Sequence, residues 1–482
     1  MSYFSDLSAR TALSRTLLLI STIPLLHACA VNASPAANTV QPLTLSLQAN
    51  TTPSVVETLP NGLKVIIRPD HRAPVVMTQV WYRVGSVDEP IDQTGLSHAL
   101  EHMMFKGTPT VPNDEFSRIV AKFGGSQNAF TSNQFTGYYQ LYPANRLSLA
   151  LELEADRMKN LVLTEQDFVP EMRVVMEERR QRTDDNPQAL AYERFRMLAF
   201  PTSPTRYPVI GHMDSLERMP LDALKQWYQT WYHPNNAVLV IVGDVQPAQA
   251  LAEVQRYFAK IPAGQLPPRP AVTERQNFGR RHLQIELPIQ VPSLYMAFNV
   301  PSLASQPDQA SDAYALALLQ AVLDGGLSAR LEQRLVREQR LLAAVSSGYN
   351  LFDRGSSLFA INAIPESNHS LEAIQTALLA EIERLKTDPI TDEELARVKT
   401  SYIADLIYNQ DSVSGQARLI GSLEVAGLDH RLLDQLTTEF DRISVAQLQA
   451  VAQRYLVADN LSTMHLHPRP TPTAATPAET QP

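Results

Sequence analysis

Three residues whose side chains can bind a metal or move a proton stand close together near position 100: His98, Glu101 and His102. Their spacing places all three on the same face of a helix, because an α-helix has 3.6 residues per turn. Two imidazoles one turn apart can bind the same metal ion, and zinc suits nitrogen and carboxylate ligands in tetrahedral geometry. The carboxylate between them could then take a proton from a zinc-bound water and make it a nucleophile for an amide carbonyl.

The residues around this triplet predict one short, half-buried helix. Leu96, Leu100 and Met103 supply its apolar side. We expect Thr94 to cap its start and Gly107 its end. The alternative interpretation is that the His and Glu side chains are solvated and fall on one outer face by chance.

A candidate for the third metal ligand lies in a second amphipathic helix, predicted over residues 165–180. Thr164 and Asp167 are placed to form a start that resembles a capping box. Glu171 and Glu178 are two helical turns apart and so share a face. The alternative is an ordinary charged helix, since charged residues are frequent throughout this segment.

Together these segments resemble the pitrilysin, insulinase and mitochondrial processing peptidase family of zinc endopeptidases, and its bacterial half-size members most. The pattern combines His98 to His102 with a later Glu178 in the setting Glu-x-x-Val-Val-x-Glu-Glu. The resemblance covers residues from about 50 to 465, with further matching stretches at 59–65, 128–131, 136–139, 207–211, 231–236 and 242–244.

The resemblance implies a role for each of these side chains. His98, His102 and Glu178 would be the ligands of one zinc ion per chain. Glu101 would be the general base, and Glu171 a catalytic-site carboxylate outside the ligand set.

The resemblance also implies substrate-binding residues in the first half of the chain. We expect Asn128, Ala129 and Phe130 to belong to an active-site edge strand, to which an extended peptide adds as a further strand. The alternative is that the segment from Asn128 to Leu141 is an ordinary inner strand.

The second half departs from the family pattern at one position. Family members that are complete in one chain carry an Arg and a Tyr seven positions apart, which hold the substrate and stabilise the tetrahedral intermediate. Arg337 stands at the first position and is expected to bind substrate, but Ala344 stands at the second. Tyr349 is a poor substitute, because an odd offset along a strand points to the opposite face.

The resemblance implies a zinc-dependent endopeptidase that hydrolyses peptides or unfolded segments inside a closed chamber. The missing Tyr predicts a homologous partner subunit that lacks the zinc motif but supplies the Arg and Tyr, giving a heterodimer. One alternative is a self-sufficient homodimer. The other is a non-catalytic structural subunit of the same fold.

Length and composition limit the number of domains and the class of partner. A chain of 482 residues with 44% hydrophobic content can bury more than one core, and its formal net charge of −9 argues against a nucleic-acid partner. We predict an α+β fold of two similar domains, each with a mainly antiparallel sheet backed by helices. The zinc-bearing domain would span 54–262 and the second domain, without a metal site, 281–467, with the proline-rich linker 263–280 between them. Long helices are expected at 311–339 and 370–386.

The ends of the chain are expected to lie outside the fold. Residues 1–33 read as a signal peptide for export to the periplasm. Cys29 follows a stretch similar to the lipobox of bacterial lipoproteins, which would anchor the protein to the outer membrane, although His27 is atypical there. Cleavage after Ala30 or Ala33 is the alternative. Residues 34–53 would form a flexible tether and 468–482 a disordered tail.

Overall fold

The computed structural model of the chain describes residues 52–113, 115–269, 272–275, 278–388 and 390–469. The expected signal peptide with Cys29, most of the tether and most of the tail lie outside the described residues. The export, the lipid anchor and the domain boundaries stay predictions. No helix formed by the described residues is both long and apolar enough to cross a membrane.

The first half of the chain forms one sheet that is antiparallel except for a single pair of strands. Its strands are β1 (Val55–Thr58), β2 (Lys64–Pro69), β3 (Val75–Tyr82), β4 (Ser126–Thr131), β5 (Thr136–Pro143) and β6 (Ala237–Gly243). Their order is β1-β2-β6-β3-β5-β4, and β2 and β6 are the parallel pair. Strand β4 therefore lies at one edge of the sheet, paired with β5.

The second half repeats this arrangement. Its strands are β7 (Arg281–Leu287), β8 (Ser293–Val300), β9 (Leu342–Gly348), β10 (Ser357–Pro365) and β11 (Leu461–Pro468). Their order is β7-β11-β8-β10-β9, with β7 and β11 parallel. If β1 is left out and the strands of each sheet are renumbered along the chain, both sheets have the order 1-5-2-4-3. The predicted fold of two similar α+β domains is thereby confirmed.

Helices cover both sheets. The first half contains α1 (Leu96–Met103), α2 (Glu115–Lys122), α3 (Leu147–Asn160), α4 (Glu165–Arg179), α5 (Pro187–Ala199), α6 (Met213–Arg218), α7 (Leu221–Trp231) and α8 (Pro247–Phe258). The second half contains α9 (Ala310–Asp324), α10 (Leu371–Thr387), α11 (Asp392–Tyr408), α12 (Val413–Val425), α13 (Leu436–Asp441) and α14 (Val445–Tyr455). Short π-helical segments follow α4 at Arg180–Asp184 and precede β9 at Glu332–Glu338.

The first sheet is buried on both faces. In β6, Val238, Val240 and Val242 face the core shared with the second half, whereas Leu239 and Ile241 face the core of the first half. A strand covered on both sides needs a continuous apolar run in place of alternation. The two halves are therefore packed together over a full face of this sheet.

Helix α12 of the second half lies against that face. A Cβ at Gly421 would stand 2.1 Å from the ring of Trp81 on β3, so only glycine lets the helix come this close. Lys64 of β2 and Glu424 of α12 form an ion pair of 2.7 Å at the same contact.

Two predicted elements differ from the structure. The expected strand from Asn128 to Leu141 is a hairpin of β4 and β5, because the Ser132 hydroxyl accepts hydrogen bonds from the N–H groups of Gln134 and Phe135 and stabilises a turn. The expected helix over 311–339 ends at Asp324, where two glycines follow and Gly326 has a φ of 109°.

Candidate active site

Helix α1 carries His98, Glu101 and His102, and a residue from an earlier segment satisfies its start. Both carboxylate oxygens of Glu89 accept hydrogen bonds of 2.7 Å, from the N–H groups of Gly95 and Ser97. An acidic group is also favoured there by the helix dipole. Leu96, Leu100 and Met103 are buried as predicted.

The predicted caps of α1 were wrong. Thr94 accepts a hydrogen bond from the N–H of His212 at 3.0 Å, and Gly95, with a φ of 96°, is the residue at the cap position. The helix ends at Met103 and not at Gly107, which has a φ of 114° in the loop that follows. Sequence spacing alone did not reveal that Glu89, several residues upstream, would act as the cap.

Helix α4 brings the second set of carboxylates to α1. As predicted, Thr164 caps its start by accepting a hydrogen bond from the N–H of Asp167. Glu171 and Glu178 both contact residues of α1. Val175, between them, is fully buried and anchors the helix to the core of the first half.

Three donor atoms from α1 and α4 converge. Oε2 of Glu178 lies 3.3 Å from Nε2 of His102 and 3.7 Å from Nε2 of His98. One ligand atom from each of the three residues lies within 4.8 Å of the other two. The structure thus brings together the three side chains that the resemblance implied as ligands.

The donor set and its spacing fit zinc. Ligand atoms about 2.0 to 2.1 Å from a tetrahedral zinc ion stand roughly 3.3 to 3.4 Å apart. The two distances to Glu178 are close to this value, and two imidazoles with one carboxylate form a catalytic type of zinc site that leaves a fourth position open.

Glu171 contacts the outer nitrogen of one of these histidines. Its Oε1 lies 2.8 Å from Nδ1 of His102, and its Oε2 lies 2.5 Å from Nζ of Lys106. The hydrogen bond to His102 and the ammonium of Lys106 keep the pKa of Glu171 below its ordinary value, despite burial. A charged carboxylate on Nδ1 favours the tautomer in which Nε2 is free to bind a metal.

Glu101 is held at the end of the edge strand. The hydroxyl of Thr131, the last residue of β4, donates a hydrogen bond to Oε2 of Glu101. Burial raises the pKa of Glu101 above that of an ordinary glutamate. A carboxylate with a raised pKa suits general-base work near neutral pH.

His98 and Glu178 differ in their other contacts. Burial, with the neighbouring His102, lowers the pKa of His98 to about 4, so its imidazole is neutral and able to bind a metal. Among the described residues, Nδ1 of His98 has no hydrogen-bond partner. Nη1 of Arg182 lies 2.6 Å from Oε1 of Glu178, which turns the other oxygen toward the histidines.

Four residues of this site were missed at the sequence level: Glu89, Lys106, Thr131 and Arg182. Arg182 stands four positions after Glu178, a spacing that itself predicts an ion pair on a helix. Lys106 and Thr131 reach the site through the packing of segments that are distant in sequence. Glu89 lies only six to eight residues before the N–H groups that it caps, but the path of the loop between them is not readable from the sequence.

The expected substrate strand lies at the sheet edge, next to α1. The N–H of Ala129 donates to the side-chain oxygen of Asn128 at 2.8 Å. The ring of Phe130 packs against Trp81, with centroids 4.8 Å apart. The alternative of an inner strand was therefore wrong, and it is the backbone of this strand, and not the Phe130 ring, that faces outward.

The structure does not bring Arg337 to the cluster. Its Nε donates to Oε1 of Glu332 at 3.0 Å, and about half of its side chain is exposed. Ala344 is exposed on β9. The hydroxyl of Tyr349 donates to the carbonyl of Pro301 at 2.7 Å, so it is already engaged elsewhere.

Comparisons with known proteins show the family of the chain. Residues 64–212 match the model described as Insulinase (Peptidase family M16), and residues 218–402 match the Peptidase M16 inactive domain. The zinc protease PqqE of Helicobacter pylori is 32% identical over 415 residues, which is 85% of this chain and 92% of that protein. An uncharacterized zinc protease of Mycobacterium bovis is 30% identical over 403 residues, 83% of this chain and 90% of the relative.

A solved structure extends the likeness to the fold. The crystal structure of a protease from Helicobacter pylori matches with a TM-score of 0.81 at 31% identity, covering 86% of this chain and all of that one. Both halves of the chain and the segment that carries the convergent His and Glu side chains are thus accounted for by one family. The chain belongs to the insulinase family of peptidases, M16.

Proposed function

We propose that this chain is the zinc-bearing subunit of an endopeptidase. The observation that carries the proposal is the convergence of His98, His102 and Glu178 beside Glu101, at the end of an edge strand. That two relatives are named zinc proteases supports the choice of metal. In this proposal His98, His102 and Glu178 would hold one zinc ion per chain.

Each side chain then has a distinct task. When bound, zinc lowers the pKa of a coordinated water to about 7 and polarises the amide carbonyl. Glu101 accepts the proton of the attacking water and returns it to the leaving amine. Glu171, with Lys106, holds the His102 ring in place.

The substrate in this proposal is an extended peptide that pairs with β4. Thr131 contacts Glu101, so a peptide in register with Asn128, Ala129 and Phe130 would lie alongside the base. Main-chain pairing fixes the position of the scissile bond and tolerates many side chains. The substrate class is therefore peptides and unfolded segments.

The central experiment replaces Glu101 by Gln. We expect the variant to keep one equivalent of zinc, because the base is not a ligand, and to lose hydrolysis of a fluorogenic peptide. Elemental analysis and initial rates on the same preparation measure the two quantities. Undiminished hydrolysis by the folded variant would overturn the role of Glu101.

We further propose that a homologous subunit completes the active site. Ala344 offers no donor for an oxyanion, Arg337 pairs with Glu332, and Tyr349 bonds to a carbonyl. Losing one oxyanion donor typically costs about a hundredfold to a thousandfold in rate. The isolated chain should therefore bind zinc but hydrolyse peptides slowly, and activity should rise when an Arg- and Tyr-bearing homologue is added.

The homodimer alternative predicts the opposite result, namely that the isolated chain is fully active. Full activity of the purified chain alone, with two zinc ions per dimer, would exclude the heterodimer. A chain that binds no zinc and stays inactive with every homologue would instead be the structural subunit. The match of residues 218–402 to an inactive-domain model covers the end of the first half and most of the second half and does not include the His-x-x-Glu-His motif at 98–102, which fits one active half per chain.

Export to the periplasm is also part of the proposal. It rests on the apolar run and small residues within 1–33, and anchoring to the outer membrane rests on Cys29. Mass spectrometry of the mature N-terminus tests both, because a lipidated Cys29 and an N-terminus after Ala30 or Ala33 differ in mass.

A further inference from the structure

A cavity of about 400 Å³ lies where the first half, the linker and the second half meet. The first half contributes Arg83, Asn235 and Asn236 to its lining. The linker contributes Leu266 and Arg269, and the second half contributes Arg354 with residues 425–427. The volume lies within the usual range of ligand pockets, about 300 to 1,000 Å³.

Three guanidinium groups line this cavity, and two of them have no carboxylate partner. Arg354 forms a two-pronged ion pair with Asp88, with distances of 3.0 and 3.2 Å. Arg269 donates to the neutral amide oxygen of Asn236. The guanidinium of Arg83 has neither a hydrogen bond nor an ion pair with any described residue.

The nearest acidic groups are already engaged. Asp88 is bound to Arg354, and Glu424 is bound to Lys64 at 2.7 Å and to His430 at 2.9 Å. Burial lowers the pKa of Arg83, and burial with the nearby positive charges lowers the pKa of Arg269 to about 10. Asp88 and Glu424 compensate the positive charge of Arg269 and Arg83 only in part. Positive charge in a partly desolvated cavity costs free energy, unless an anion enters.

We propose that this cavity binds a phosphate-type oxyanion, held by Arg83 and Arg269, with Arg354 also in the lining. Planar guanidinium groups match the oxygens of phosphate in pairs of parallel hydrogen bonds. Because the lining comes from both halves and from the linker, the bound anion stabilises their packing against each other. The site is separate from the His98, His102 and Glu178 cluster and does not depend on the function proposed for it.

Isothermal titration calorimetry with inorganic phosphate, at constant ionic strength maintained with chloride, tests the proposal on the full chain. We expect saturable binding with one anion per chain. Arg83→Gln and Arg269→Gln should each weaken it by at least about tenfold. Arg256→Gln is the matched control, because Arg256 is exposed on α8 and contacts Glu253 at 3.8 Å; it should bind as the unaltered chain does.

The thermal unfolding midpoint provides a second readout. Phosphate should raise the midpoint of the unaltered chain and of Arg256→Gln, but not that of Arg83→Gln. Without phosphate, Arg83→Gln should be no less stable than the unaltered chain, since it removes a charge that has no partner. No saturable binding by the unaltered chain, or equal binding by Arg83→Gln and Arg256→Gln, would overturn the proposal.

Discussion

The hydroxyl of Thr131 donates a hydrogen bond to Oε2 of Glu101. Thr131 is the last residue of the edge strand β4, and Glu101 stands between the two histidines of α1. One contact thereby joins the strand proposed to bind the substrate to the carboxylate proposed to act as base. The position of the base depends on where the strand ends.

Replacing Thr131 by Val should lower kcat by roughly ten- to hundredfold, the usual cost of losing a hydrogen bond to a charged group. Zinc content and KM should change little, because Thr131 contacts the base and none of the three clustered donors. Thr131→Ser keeps the hydroxyl and should restore most of the rate. Ser126→Ala, at the exposed start of the same strand, is the control. Equal kcat values for Thr131→Val and Thr131→Ser would show that the Thr131 hydroxyl does not position Glu101.

Two neighbouring glutamates on α4, Glu178 and Glu177, provide a test variant and a matched control for the proposed metal site. Glu178→Gln should weaken zinc binding by more than about a hundredfold, beyond the tenfold to hundredfold typical of residues that support a ligand. Glu177 is half-exposed and bonds to Arg180 and Gln181, so Glu177→Gln should be silent. Competition with a zinc-binding dye measures both. If Glu177→Gln lost zinc and Glu178→Gln kept it, the proposed ligand would be Glu177.

The outward N–H of Ala129 tests the proposed strand addition. Ala129→Pro removes this donor, and proline is tolerated on an edge strand where the N–H faces away from the neighbouring strand. We expect kcat/KM for an extended peptide to fall about tenfold, with unchanged zinc content and circular dichroism. Unchanged cleavage by this folded variant would argue against pairing at Ala129.

The contact between the two halves should depend on pH through Asp70. Its buried carboxylate accepts hydrogen bonds from Arg72 and, across the halves, from Gln416 on α12. These bonds hold the pKa of Asp70 well below its ordinary value. The resulting stability is fully present above the unfolded pKa of about 3.9 and is lost as the pH falls through the lower folded pKa.

At pH 7, Asp70→Asn should therefore unfold at a lower urea concentration than the unaltered chain. The difference between the two midpoints should shrink below about pH 4. Asp214→Asn, at an exposed pair with Arg218, should show no such difference. A difference in unfolding free energy between Asp70→Asn and the unaltered chain that stays constant down to pH 3 would contradict the role of Asp70.

The elements that sequence could predict are those fixed by local rules. The spacing of His98, Glu101 and His102 placed them on one helical face, and Thr164 with Asp167 marked the start of α4. The break of the expected helix at Gly325 and Gly326 was also readable from local rules, although it was not predicted.

The remainder depends on contacts that form only in the folded chain, most of them between segments far apart in sequence. The apolar run of β6 is typical of a buried strand, but it does not show that the second half covers one of its faces. The cap that Glu89 provides for α1 and the contact of Thr131 with Glu101 arise only when the chain is folded. The resemblance supplied Glu178 as the third ligand, which the pattern of a charged helix could not distinguish from its neighbours.

The way α1 begins has a consequence for protein engineering. The helix has eight residues, fewer than the roughly 12 to 15 that an isolated helix needs to be even marginally stable in water, and its first N–H groups bond to Glu89 from outside the segment. A peptide of residues 94–107 should therefore be unstructured in solution. Grafting the five-residue His-x-x-Glu-His motif onto another scaffold would transfer His98, Glu101 and His102 without the Glu89 carboxylate that holds the start of their helix.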